Sequence, residues 1–167
     1  MYNLKMFKNY LNSILEVSEN LNEDILNNAI KTIKKTIKNQ KKIFVCGNGG
    51  SASLSDHALC DWTKRLYPKK KCKVYDLTSN KSLISAIAND IKFEDIFSYQ
   101  IDVFSEKGDI CIFISSSGNS KNILKGIKIA KKKGLQVISI LGFDGGRAKS
   151  ISDYAIHFKT KTYEHHE

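Results

Sequence analysis

Leu4, Phe7, Leu11, Ile14 and Leu15 recur about one helical turn apart, and Leu21, Ile25, Ile30, Ile33 and Ile37 repeat the pattern after a short break. That spacing puts each set on one face and predicts helices over 3–17 and 22–39. Asn22 is placed to cap the second helix, with Glu23 and Asp24 in its first turn. A helical hairpin ahead of the first strand cannot be a crossover. Its apolar stripe is therefore expected to pack on the flank of a sheet or on another subunit.

Past the hairpin, short apolar runs alternate with helical stretches. Strands are expected at 43–46, 73–77, 109–114, 136–141 and 154–158. Helices are expected at 51–66, near 81–88 and 93–103, at 120–133 and near 146–151. Leu135-Gln136-Val137-Ile138-Ser139-Ile140, entered through the helix stop Gly134, is the apolar-rich run of a strand covered on both faces. Such alternation builds a doubly wound, mostly parallel α/β sheet of about five strands. Pro68 is the only proline, and no repeat or low-complexity linker interrupts the chain. Residues 1–167 read as one domain: hairpin 1–40, α/β core 41–158 and polar tail 159–167.

A chain of 167 residues with 41% hydrophobic composition can bury one core but hardly two. No apolar stretch approaches the roughly 20 residues that span a bilayer, and Met1-Tyr2-Asn3-Leu4-Lys5 lacks the layout of a secretory signal. Cys46, Cys60, Cys72 and Cys111 form no C-x-x-C pair, and Cys46 and Cys111 fall in expected strands. A reduced, cytoplasmic setting is expected. The net charge of +10 favours anionic partners, and Lys69-Lys70-Lys71 with Lys73 is a local run. The lysines of 31–42 and 121–133 fall on solvated helix faces without interleaved aromatics, so nucleic acid is not an expected partner.

The chemistry lies in two loops. Ile43-Phe44-Val45-Cys46 runs into Gly47-Asn48-Gly49-Gly50-Ser51, and Ile110-Cys111-Ile112-Phe113-Ile114 runs into Ser115-Ser116-Ser117-Gly118-Asn119-Ser120. In a parallel sheet both fall at strand carboxyl ends, where open α/β folds bind ligands. Glycines let backbone N–H groups approach an anion, hydroxyls add donors, and the helix N-terminus behind each loop adds partial positive charge. One such loop is weak evidence; two point to a phosphorylated metabolite. Ser120 fits an ordinary helix cap, but the loop holds more hydroxyls than capping requires.

Gly47-x-Gly49-x-x-Ala52 also fits a dinucleotide-binding turn, with Asp76 as the ribose-binding acid. Asp76 lies beyond the usual offset of about 20 residues, and the serine loop would then have no role. A plain glycine turn is the other alternative, although Asn48 and Ser51 make it rich in donors.

His57 and Asp61 stand four residues apart on the helix after the first loop and share a face. Imidazole and carboxylate at that spacing can chelate a divalent metal or position one another for proton transfer; equally, they can be a surface pair of little energetic weight. Trp62 reads as core or interface. Asn89-Asp90 is either a helix stop or a further approach to the crevice. Asp144-Gly145-Gly146 reads as a turn first and a ligand loop second.

Cys-Gly-Asn-Gly-Gly-Ser at 46–51, Ala-Asn-Asp at 88–90, Ile-Ser-Ser-Ser-Gly-Asn-Ser at 114–120 and Asp-Gly-Gly at 144–146 come in a telling order and spacing. Together they resemble the sugar isomerase (SIS) domain family, most closely its phosphoheptose isomerases. The resemblance runs from the N-terminal helices to about Phe158 and implies a flavodoxin-like three-layer sandwich. It implies that Asn48, Gly49 and Gly50 line the substrate and that Asn89 and Asp90 contact the sugar chain. Ser115, Ser116, Ser117 and Ser120 would hold the phosphate, with Ser51 nearby. The family's metal-binding histidine falls on His57. Its helix glutamate, both metal ligand and catalytic base, falls on Asp61, so zinc or another divalent metal is the implied cofactor. Family members are similar in being cytoplasmic homotetramers whose active sites are shared between subunits.

Two departures stand out. Asp61 is one methylene shorter than the family glutamate. The sequence also stops before the final helix, which carries a Gln or Glu ligand and the histidine of the second acid/base; Glu164 and Glu167 are the candidates to replace the ligand. The expected function is isomerisation of sedoheptulose 7-phosphate to D-glycero-D-manno-heptose 7-phosphate through an enediol(ate), with Asp61 as base. The alternative favoured by the two departures is a non-catalytic module that binds sugar phosphates or a replication initiator protein.

Overall fold

The computed structural model describes residues 4–67 and 71–160. In chain order the elements are α1 (Leu4–Glu19), α2 (Glu23–Lys38), β1 (Lys42–Gly47), α3 (Gly50–Leu66), β2 (Lys73–Asp76) and α4 (Lys81–Asp90). A 3-10 turn (Phe93–Asp95), α5 (Ile96–Phe104), β3 (Ile110–Ser115), α6 (Lys121–Lys132), β4 (Gln136–Leu141), α7 (Gly146–Ile151) and β5 (Tyr154–His157) follow. Every element expected from the pattern forms, with ends shifted by a few residues.

The strands lie in the order β2-β1-β3-β4-β5, and all four pairings are parallel rather than mostly so. The side chains explain this order. Val45, Cys46, Cys111, Ile112, Phe113, Val137 and Ile138 are all buried, so β1, β3 and β4 need cover on both faces and take the centre. Phe44, Cys46, Cys111, Phe113 and Val137 pack under α4 to α7 through Ile87, Phe97, Ile101, Ile123 and Ile127. Ile43, Val45, Ile112 and Ile138 face α2 and α3, meeting Ala29, Ile33, Leu54 and Trp62. Asp109, almost fully buried, ties two strand starts together by accepting from the backbone N–H of Lys42 and of Glu106, each at 2.8 Å.

This order has its switch point between β1 and β3, where the chain leaves one strand for each side of the sheet. The crevice there is where such sheets take ligands. The hairpin divides in two. α2, capped by the Asn22 side chain accepting from Ile25 N–H at 3.0 Å, packs on the sheet. α1 buries no residue, and Leu4, Phe7 and Leu15 stay exposed. Its stripe therefore finds no burial among the described residues. No described helix is long and apolar enough to cross a membrane. The run Lys69-Lys70 and the tail with Glu164 and Glu167 lie outside the described residues.

Candidate active site

The glycine turn is shaped by how closely α3 approaches β1. A Cβ on Gly47 would lie 2.6 Å from the Ser51 carbonyl oxygen, closer than real side chains come. Gly49, at φ +56°, occupies the N-cap position of α3 and supplies no side-chain cap. The Ala52 N–H turns back to the Gly49 carbonyl at 3.0 Å, so the Gly50 and Ser51 amides are the donors this end of α3 leaves for a ligand.

The serine loop is braced from the next strand. Gly118 has φ +61°, and a Cβ there would overlap the backbone of Gly145. Asp144-Gly145-Gly146 is a turn, as expected, and it braces the serine loop. Gly142 N–H donates to the Ser116 carbonyl at 3.1 Å and Ala148 N–H to the Gly118 carbonyl at 2.9 Å. The Asn119 side chain accepts from Arg147 N–H at 3.0 Å. Within the loop, Ser115 Oγ accepts from Gly118 N–H at 3.1 Å and Ser117 Oγ from Asn119 N–H at 3.2 Å. Ser120 stands at the N-cap of α6, yet its hydroxyl makes no cap bond. That corrects the simple cap reading of Ser120: its hydroxyl stays free for something else, while the Ile123 N–H of the same turn donates to Asn122 Oδ1 at 2.9 Å.

Both turns open onto one cavity of about 280 Å³ lined by Asn48, Gly49, Gly50, Ser51, Ser115, Ser116, Ser117 and Ser120. A second lobe of about 220 Å³ adjoins it through Ser51, Ser115 and Ser116, walled by Ile140, Leu141 and Phe158. Among the described residues no lysine or arginine lines either lobe. The positive potential comes from two helix N-termini, α3 and α6, whose N-cap residues Gly49 and Ser120 make no cap bond. Such a pocket suits an oxyanion with several acceptor oxygens.

One residue of this site went unread in the sequence. Asn122, 2% exposed in the first turn of α6, pairs with Asn48 by two amide hydrogen bonds. Asn48 Nδ2 donates to Asn122 Oδ1 at 3.0 Å, and Asn122 Nδ2 donates to Asn48 Oδ1 at 2.8 Å. The available signal was an amide where the pattern of α6 calls for a core position.

The remaining candidates lie elsewhere. Asn89 and Asp90 are exposed at the end of α4, bonded to one another at 2.8 Å, and line neither lobe. His57 and Asp61 share a face of α3, with Nε2 and Oδ2 3.6 Å apart; Arg65 approaches the same oxygen at 3.8 Å. His57 is largely exposed, while Asp61 borders a groove between α2 and α3 with Ile30, Ile33 and Trp62. Along α3 the rise from Gly50 is roughly 10 Å to His57 and 16 Å to Asp61, and neither residue lines the serine cavity. Among the described residues no group of three or more His, Cys, Asp or Glu comes together. His57 and Asp61 give one nitrogen and one oxygen donor, a chemically suitable pair for zinc but half of a tetrahedral set.

Asp76 is not available for a ribose. It is buried, and its carboxylate accepts from Thr78 N–H at 2.8 Å and from the Thr78 hydroxyl at 2.6 Å. Burial raises its pKa, partly offset by those bonds from Thr78. The dinucleotide reading loses its acid. All four cysteines are free, and burial pushes the Cys46 and Cys111 thiols well up, as for inert core residues.

A parallel sheet with two uncapped helix N-termini and a serine loop at its switch point defines a phosphoester-binding α/β protein. The chain belongs to the SIS domain family, whose pattern it matches over residues 6–142. It is 39% identical to the phosphoheptose isomerase of Helicobacter pylori (strain P12) over 135 residues, 80% of this chain and 70% of that protein. It is 37% identical to the probable phosphoheptose isomerase of Thermoplasma acidophilum over 147 residues, 87% of this chain and 81% of the relative. The structure of the Neisseria gonorrhoeae phosphoheptose isomerase superposes with a TM-score of 0.87 and 28% identity, covering 96% of this chain and 86% of that one.

Proposed function

We propose that this protein is a phosphoheptose isomerase, converting sedoheptulose 7-phosphate to D-glycero-D-manno-heptose 7-phosphate. The observation that carries the reading is the convergence of two uncapped helix N-termini on one serine-lined cavity. Phosphate held by Ser116, Ser120 and the first amides of α3 and α6 supplies orientation and remote binding energy rather than chemistry. Asp61 removes the C1 proton beside the carbonyl and returns it to C2 as the enediol(ate) collapses, while a proton passes from the C1 hydroxyl to the C2 oxygen through solvent.

The length of α3 supports assigning this step to another subunit's Asp61. Even an extended heptulose phosphate is shorter than the roughly 16 Å of helix between Gly50 and Asp61. A sugar gripped by one subunit's serines is therefore served by the carboxylate of another subunit. Homotetramer formation is proposed on this ground, with the exposed apolar stripe of α1 available to bury between subunits. Zinc or another divalent cation is proposed as cofactor, with His57 and Asp61 as two of its ligands; when bound it would polarise the substrate oxygens. A cytoplasmic setting fits four free cysteines.

The test is incubation with sedoheptulose 7-phosphate, with and without added zinc. Appearance of the heptose 7-phosphate supports the reading, and absence of product under both conditions overturns it for this chain. A second reading, a non-catalytic phosphosugar-binding or initiator-binding module, draws on the separation of His57 and Asp61 from the cavity. Tight binding of the sugar phosphate without turnover would favour it.

A further inference from the structure

We propose that Asn122 is a positioning residue that fixes which edge of the Asn48 amide faces the substrate. The inference rests on the proposed phosphosugar site and adds to it a residue that does not line the cavity. An asparagine amide has a donor end and an acceptor end, and a free one can present either. Here the choice is made in sequence. The Ile123 backbone N–H donates to Asn122 Oδ1 at 2.9 Å, which sets the orientation of the Asn122 amide. Its Nδ2 must then face Asn48 and donate to Oδ1 at 2.8 Å, and the Asn48 Nδ2 must return a bond to Asn122 Oδ1 at 3.0 Å. This closed pair consumes one N–H and one lone pair of Asn48. The other N–H and the other lone pair of Asn48 remain for the cavity it lines, in a set arrangement.

The pair also spans the site. It joins the turn after β1 to the first turn of α6, across 74 residues of sequence, with Asn122 almost closed to water and Asn48 half-buried. Burial makes an unpaired amide here costly, so the pairing is strongly held. The two anion-binding turns are thereby kept in register with each other before a ligand arrives. A substrate oxygen meets a donor already aimed, with no amide rotation to freeze on binding.

The test compares Asn122→Asp and Asn122→Ala with the intact full chain. An aspartate keeps the shape and both acceptor bonds but, when ionised, cannot donate to Asn48 Oδ1. For sedoheptulose 7-phosphate, Asn122→Asp is expected to raise KM about tenfold, the worth of one oriented hydrogen bond plus charge repulsion, with kcat within about twofold. A protonated carboxyl can donate again, so the ratio of variant to wild-type KM should fall as pH is lowered through the titration of the introduced carboxyl. An unchanged KM in a variant that melts at lower temperature would reduce Asn122 to a structural residue and overturn the proposal. A second readout is independent of turnover. In NMR spectra the Asn48 side-chain amide protons should exchange slowly in the wild-type protein and quickly in Asn122→Ala. If wild-type protein neither binds nor converts the sugar, the isomerase reading falls, and the latch stands or falls on those amide signals alone. Insensitivity of those signals to Asn122→Ala would then overturn it.

Discussion

The two ends of α3 are built on opposite plans. At its N-terminus, Gly50 and Ser51 sit in a closed network: β1 presses from one side through Gly47, and the serine loop faces them, itself braced by the turn after β4. From its middle onward, His57 projects into solvent and Asp61 borders a groove, and among the described residues their charged partners are one another and Arg65. The serine cavity is lined entirely by one chain, whereas His57 and Asp61 stand outside it. A cavity can thus be legible in a single chain while the candidate proton-transfer pair lies apart from it.

The sharpest way to separate the two ends is Asp61→Ala. Turnover should fall by about 10²- to 10⁴-fold, the range for loss of a general base, while phosphosugar binding by calorimetry and the melting temperature stay close to wild type. Equal losses in binding and turnover would erase the distinction. Gly118→Ala attacks the other end. Left-handed backbone and overlap with Gly145 together should cost about 3 kcal/mol of stability, read by denaturant unfolding, with binding lost in the same variant.

Smaller effects come from single hydroxyls. Ser116→Ala and Ser120→Ala should each weaken phosphosugar binding about five- to tenfold without altering the unfolding midpoint, because neither oxygen makes a bond within the described residues. A drop in stability for either would show that it holds the loop instead. Smallest is the pH response of Asp76. Its carboxyl is raised by burial, so the folded form binds a proton more tightly than the unfolded chain does. That shift disfavours folding above the raised value, and the handicap is relieved as pH falls through it toward the ordinary carboxylate range. Asp76→Asn should flatten this part of the stability-against-pH profile, measured by melting temperature between about pH 4 and 7.

Much of this was readable from residue order. The alternation of periods placed every strand and helix, because β1, β3 and β4 are apolar-rich runs while the helices carry stripes. The two loops were visible as glycine and serine clusters, since anion binding by backbone groups leaves a compositional trace. What stayed hidden depended on direction and on neighbours. The spacing of His57 and Asp61 told that they share a face, but not that neither lines the serine cavity. The stripe of α1 looked like that of α2, and only the sheet, which has room for one of them, tells them apart. Asn89 and Asp90 had no local feature to reveal that they miss the cavity. Asn122 was concealed for the reverse reason: its work is done with a residue 74 positions away.

The contact of Gly118 with Gly145 and Gly146 reaches beyond this molecule. Two main chains that touch with no side chain between them cannot diverge separately; a bulkier residue in either turn forces the other out of place. Any attempt to transplant the serine loop into a foreign sheet should therefore carry the exit of β4 with it, as a single cassette.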